Sequence, residues 1–155
     1  MEAYLDNSAT TPLCKEAVEK VNFALTSCWG NPSSLHANGI AASELMEESR
    51  AIIAGKLSCD PNEIIFTSGG TESNNIAVLG AANALKRRGS RIITTSVEHP
   101  SVEEPVKYLE SQGFDVIRLR VNENGLIDER QLYAATNPSV VLISVMYVNN
   151  EVGTI

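Results

Sequence analysis

Beyond about residue 60 the chain alternates between short apolar runs and longer stretches whose apolar positions recur at helical spacing. Ile64-Ile65-Phe66-Thr67, Ile92 to Ser96, Val116 to Val121 and Val140 to Val148 are runs of the first kind, and they predict four buried strands. Glu72 to Arg87, Ser101 to Gln112 and Asp128 to Ala135 lie between them and predict helices. Upstream, about Leu13 to Thr26 suits a helix with Val18, Val21, Ala24 and Leu25 on one side. A turn-rich loop, Trp29 to Ser34, leads into a second helix that runs to about Leu57 and stops before Asp60-Pro61. The first dozen residues, ending Thr-Thr-Pro, read as an extended arm. Buried strands alternating with amphipathic helices predict an α/β fold of three layers, α/β/α, with a mainly parallel sheet. Such sheets take ligands at the carboxyl ends of their strands, so the chemistry is to be sought there.

Three strand ends carry candidate groups. The first is Thr67-Ser68-Gly69-Gly70-Thr71-Glu72-Ser73-Asn74-Asn75. Its glycines let the backbone approach a ligand, and a helix start offers unpaired amides and the positive end of a dipole. Gly70 and Thr71 are therefore candidates for an anion; the alternative is an ordinary tight turn capped by Ser68 or Thr71. The small residues Ala77, Gly80, Ala81, Ala82 and Ala84 would let this helix sit close on the sheet. Neither G-x-x-x-x-G-K-[ST] nor G-x-G-x-x-G is present, so a single phosphate monoester suits the turn better than a nucleotide. The second strand end is Val97-Glu98-His99-Pro100-Ser101, where Pro100 fits a first helical position and leaves His99 on the corner. An imidazole there can stack on a planar ring or move a proton; equally, it can be a solvent-exposed loop histidine. The last is Tyr147-Val148-Asn149-Asn150-Glu151-Val152-Gly153. One of Asn149 and Asn150 could aim an amide at a ligand while the other holds the loop as an Asx-turn.

Composition narrows the partners. The 155 residues carry 43% apolar and 20% charged side chains, enough for one globular domain on a prior of roughly 100–200 residues per domain. A net charge of −7 argues against nucleic acid or an anionic membrane surface as the main partner. Lys86-Arg87-Arg88, the one basic cluster, falls at a helix end, where cations complement the dipole. The opening residues lack a charged n-region and an apolar h-region, which argues against a secretory leader. No apolar run approaches the roughly 20 residues of a membrane span. Cys14, Cys28 and Cys59 suggest neither a disulfide framework nor a zinc site, and a reducing cytoplasm is the expected compartment.

Five motifs in order resemble the NifS/IscS-type cysteine desulfurases of the class V aminotransferase family. They are Tyr4 to Pro12 (YLDNSATTP), Gly30-Asn31-Pro32-Ser33-Ser34 with His36, Phe66 to Asn75, Glu98-His99, and Val148 to Gly153. The resemblance implies the fold-type I transferase fold and pyridoxal 5'-phosphate as cofactor. By it, Gly70 and Thr71 bind the cofactor phosphate, and His99 stacks on the pyridine ring and takes part in proton transfer. Asn150 then stands near the cofactor's 3′ oxygen and the substrate, and Asn7, Ser8 and Ala9 lie near the active-site entrance. L-cysteine would be the substrate: the ring serves as electron sink, a mobile cysteine thiolate takes the substrate sulfur as a persulfide, and alanine leaves. The resemblance also implies a homodimer with a sulfur-accepting scaffold or carrier protein, serving iron–sulfur cluster or thio-cofactor assembly.

In the family, the Schiff-base lysine, the aspartate on the pyridinium nitrogen, the substrate arginine and the persulfide cysteine all lie further along. None of Lys15, Lys20, Lys56, Lys86 and Lys107 stands in a matching context. The expectation is an incomplete large domain: residues 1–14 an arm that would join the small domain, and 15–155 the front of the cofactor domain, inactive by itself. Selenocysteine lyases and other class V aminotransferases share the phosphate turn and ring histidine. A non-catalytic fragment that binds a full-length relative, or a nucleotide-binding domain, are the readings from other classes; the glycine spacing disfavours the latter.

Overall fold

A computed structural model describes residues 3–155. They form two compact units, one ending at Phe66 and one running from Thr67 to Ile155. The first two residues of the expected arm lie outside the described residues.

The first unit is helical. The arm folds back as a turn, with the Tyr4 hydroxyl 3.0 and 3.1 Å from the carbonyl oxygens of Asp6 and Thr10. Helix α1 spans Lys15–Ser27 and α2 spans Ala37–Leu57. The ring Nδ1 of His36 caps α2 by accepting from the Gly39 amide, and α2 ends in a left-handed residue, Ser58. A short 3₁₀ turn, Pro61–Glu63, follows behind a capping box in which Asp60 and Glu63 accept each other's backbone N–H groups. Ile64 to Thr67, expected as a strand, is not one. Ile64 has extended backbone (φ −90°, ψ 121°), but no strand pairs with this segment among the described residues. Apolarity and extension do not make a strand without a ladder partner. Instead the Arg50 guanidinium donates to the Ile64 carbonyl and lies over the Phe66 ring.

The second unit is α/β. Its elements are α3 (Gly70–Leu85), β1 (Arg91–Thr95), α4 (Pro100–Ser111), β2 (Asp115–Leu119), α5 (Glu129–Ala135) and β3 (Val140–Ile143). The three strands are ordered β2-β1-β3, and both pairings are parallel, as the alternating pattern predicts. Where four strands were expected there are three among the described residues, and β3 stops at Ile143 rather than Val148. The ladder between β1 and β3 stops there: Ile93 pairs Ile143 and the Ser144 amide donates the last ladder bond, to the Ile93 carbonyl, while β1 runs on to Thr95 beside β2.

The core lies between the sheet and the helices α3 and α4. Val78 and Ala82 of α3 meet Val102, Val106 and Leu109 of α4 over Ile92, Phe114 and Val141. The spacing 102, 106, 109 is one stripe of an amphipathic helix. Of the small residues in α3, Ala82 supplies the close contact, whereas Gly80 and Ala77 face away. Val141 reaches this core because a bulge in β3 skips it in the pairing with β1. Outside the core, Arg118 on β2 binds Glu103 at 3.0 Å and Glu110 at 2.9 Å, both on α4. That hydrogen bond from Arg118 holds the Glu110 carboxyl below the usual range, so its contribution to stability persists above the ordinary carboxylate pKa and fades as pH falls through the lowered value.

Gly89 sets the start of the β1–β3 pairing. A Cβ there would lie 2.2 Å from the Ser139 carbonyl oxygen and 2.6 Å from its Cα, while the Arg91 amide bonds that same carbonyl at 2.9 Å. Both obstacles are backbone, so a methyl group forces the two strands apart. Gly89→Ala is expected to lower the unfolding free energy by about 1–3 kcal/mol, read as a lower urea midpoint. An unshifted midpoint would show that the approach is not required.

Candidate functional site

From β1 the chain goes to β2 on one side and then crosses to β3 on the other, so the carboxyl end of the central strand β1 is flanked by those of β2 and β3. Parallel sheets take ligands outside the carboxyl ends of their strands.

The first turn of α3 belongs to this second unit. Its N-cap, Gly69, gives no side-chain cap, and the Ser73 amide is the first to bond back, to the Gly69 carbonyl. Among the described residues, the amides of Gly70, Thr71 and Glu72 have no protein acceptor, and the Thr71 hydroxyl has no partner. Gly69 is extended (φ 163°) and Gly70 is helical, and a Cβ on either would meet nothing within 4 Å. Neither backbone conformation nor packing within the protein therefore requires glycine at these positions. What both do is keep the space in front of the free amides clear. Glu72 does not block it: its Oε2 accepts from the Ser68 amide at 2.6 Å and hydroxyl at 2.7 Å. Those two bonds, the backbone one first, hold the Glu72 carboxyl below its ordinary pKa. Thr67 and Ser73, 2.7 Å apart through their hydroxyls, brace the turn from behind.

His99 follows β1 as the N-cap of α4, with Pro100 at the first helical position as the sequence predicts. Its imidazole is exposed, and Nδ1 accepts from the Ser101 amide at 3.1 Å and lies 2.7 Å from the Ser101 hydroxyl. Ser101 in turn receives the Asn74 side-chain amide at 2.8 Å. The helix that begins at the glycine turn is thus hydrogen-bonded, through one buried serine, to the histidine on the next strand end.

Glu98 makes the second connection. Its Oε1 accepts from the Thr95 hydroxyl at 2.8 Å and from the Met146 amide at 2.9 Å, which ties the end of β1 to the loop after β3. In that loop Asn149 is buried, and its Oδ1 accepts from the amides of Glu151 and Val152. Asn150 is exposed and has no partner among the described residues. Of the two asparagines, then, Asn149 is the one that holds the loop backbone. A cleft of about 420 Å³ lies beside this loop, lined by Thr95, Val97, Val121, Leu126, Met146 and Asn149. It is mainly apolar, and neither Gly70, Thr71 nor His99 lines it, so free space and polar chemistry do not coincide within this unit.

Gly70, Thr71, His99 and Asn150 therefore belong to one compact unit, in which Ser101 links α3 to His99 and Glu98 links the end of β1 to the loop after β3, whereas Asn7, Ser8 and Ala9 belong to the other unit, in an exposed turn. Sequence reasoning passed over Glu98, Asn74 and Ser101 as individual groups. The one available signal was that Glu98 and Ser101 lie within two positions of the start of α4; Asn74, a full turn into α3, carried none.

A sequence model of the class V aminotransferases matches residues 3–155. The chain belongs to the class V aminotransferase family. Among curated members of that family it is 50% identical, over 153 residues, to "Cysteine desulfurase IscS" of Neisseria meningitidis serogroup C, covering 98% of this chain and 38% of the relative. It is 47% identical to the protein of the same name from Dictyoglomus turgidum, covering 99% and 39%. Among solved structures a "NifS-like protein" superposes with a TM-score of 0.92 at 39% identity, over all of this chain and 43% of that one. "SspA in complex with cysteine" superposes at 0.85 and 38% identity, over 96% and 43%. This class V chain thus spans about two fifths of the length of such relatives, and shares over that span the fold-type I α/β architecture that its sequence resembles.

Proposed function

We propose that this chain is the cofactor-binding front part of a pyridoxal-phosphate-dependent cysteine desulfurase, converting L-cysteine to L-alanine with the sulfur retained on the enzyme. The observation that carries the reading is the open first turn of α3: three free amides and a free hydroxyl face a space that two glycines keep clear. One phosphate monoester fits this donor set, because a helix start supplies both the N–H groups and the favourable dipole. Gly70 and Thr71 would hold the phosphate, and His99 and Asn150 would meet the ring and its 3′ oxygen. When bound, pyridoxal phosphate supplies an electron sink for chemistry at the substrate's α-carbon. The chain's own part is to seat the phosphate, to fix the histidine through Ser101, and to hold the Asn150 loop through Glu98 and Asn149.

In this reading residues 1–14 are an arm that joins a small domain and 15–155 the front of the cofactor domain. The same reading carries a homodimer, a sulfur-accepting scaffold or carrier protein and a cytoplasmic setting. Among the described residues no helix is long and apolar enough to cross a membrane. Asn7, Ser8 and Ala9 remain in this reading as residues of the active-site entrance.

The test is a titration of the ¹⁵N-labelled chain with pyridoxal phosphate. The amides of Gly70, Thr71 and Glu72 are expected to shift together and saturably, and pyridoxal without phosphate is expected to leave them in place. Gly70→Asp puts a carboxylate where the anion sits, yet suits a first helical turn. It is expected to weaken binding at least about tenfold, or roughly 1.4 kcal/mol. Three amides unmoved at millimolar ligand would overturn the reading.

A further inference from the structure

His99 could present either a lone pair or an N–H at its exposed nitrogen, and which it presents decides what it can do to a neighbouring group. We propose that Ser101 and Asn74 are positioning residues that lock His99 as the tautomer protonated on Nε2, so that the imidazole meets its surroundings as a hydrogen-bond donor.

The direction of each bond follows from what each atom can do. The Ser101 backbone N–H can only donate, and it lies 3.1 Å from His99 Nδ1, so Nδ1 accepts. The Ser101 hydroxyl lies 2.7 Å from the same nitrogen. It already accepts from the Asn74 side-chain amide at 2.8 Å, which leaves its own hydrogen for Nδ1. With two donors aimed at Nδ1, the proton of the neutral ring sits on Nε2. Ser101 is only 7% exposed, so little water competes for its hydroxyl. Asn74 lies one turn beyond the open amides of α3, so the ring's orientation is referenced to the same helix that offers the anion seat. Under the proposed function, on which only this consequence rests, the group offered to a bound ring or substrate is Nε2–H, a hydrogen-bond donor.

The tautomer is read on the 155-residue chain with no cofactor added, so the outcome is separable from that of the cofactor titration. The chain has only two histidines, and His36→Gln assigns their imidazole signals. In long-range ¹H–¹⁵N spectra of the neutral ring, His99 is expected to show a single form with the proton on Nε2. A coupling across the hydrogen bond between the Ser101 amide nitrogen and His99 Nδ1 should accompany it. A proton on Nδ1, an averaged mixture of tautomers, or no such coupling would overturn the proposal. Ser101→Ala removes the hydroxyl donor. Asn74→Asp, close in size and so mild for folding, offers the hydroxyl an acceptor instead and draws its hydrogen away. In both variants the Nδ1 resonance is expected to move toward that of an unbonded pyridine-type nitrogen. An unmoved resonance in both well-folded variants would remove these two side chains from the mechanism.

Discussion

Replacing Leu109 by alanine is expected to destabilise the α/β unit by about 3 kcal/mol, within the roughly 2–5 kcal/mol seen when a fully buried leucine is truncated. Leu109 is 1% exposed and packs among Val106, Phe114 and Ile92. The loss has two parts: apolar surface that no longer leaves water, and a cavity walled by α3, α4 and the sheet, which close on one another too tightly to collapse. Hydrogen exchange at the amides of Ile92 and Ile93 in the central strand is the suitable probe, because it reports this unit without the other. Protection there should fall by about a hundredfold, at 1.4 kcal/mol for each factor of ten. Tyr108 is the control: one residue away but 56% exposed, its alanine variant should change stability by about 0.5 kcal/mol or less. Equal effects at the two positions would mean that the core is not where the packing places it.

The second large effect belongs to Glu98→Ala. One carboxylate oxygen accepts both the Thr95 hydroxyl and the Met146 amide, and hydrogen bonds to a charged group contribute about 1.5–3 kcal/mol each. Removing it leaves the Thr95 hydroxyl, on a residue only 1% exposed, without its acceptor. We expect a loss of about 2 kcal/mol, concentrated in the loop after β3. Exchange at Met146 should accelerate far more than exchange at Ile92. Glu98→Gln keeps an acceptor oxygen of the same reach and should stay within about 1 kcal/mol of the parent. If Met146 exchanges no faster in the alanine variant, Glu98 does not tie the two strand ends together.

These two residues mark the limits of what the sequence makes legible. Leu109 lies on a stripe visible as periodicity, and α3, β1, α4, β2 and α5 all fall within two residues of where that periodicity puts them. The corner at His99 was legible because Pro100 suits a first helical position and leaves the histidine just before it. The errors share one cause. Ile64 to Thr67 and Ser144 to Val148 are apolar enough for strands, but a strand is defined by its neighbour, and no local pattern records whether a neighbour is there. Glu98 and Asn74 were hidden for the same reason: their partners stand 48 and 27 positions away. The asparagine pair lies between these cases, since the sequence posed the choice and burial of Asn149 beside an exposed Asn150 decided which one builds the turn.

The strand order has a consequence for the chain as it is being made. The central strand acquires β2 early, but its other edge must wait for β3, because about 50 residues separate Ile93 from its partner Ile143. At a synthesis rate of about 5–20 residues per second, that edge emerges unpaired for several seconds. Throughout that interval the nascent chain exposes the backbone groups that another strand can capture. The middle of this sheet is thus made before one of its flanks, and chaperones that shield open strand edges would find an opportunity there.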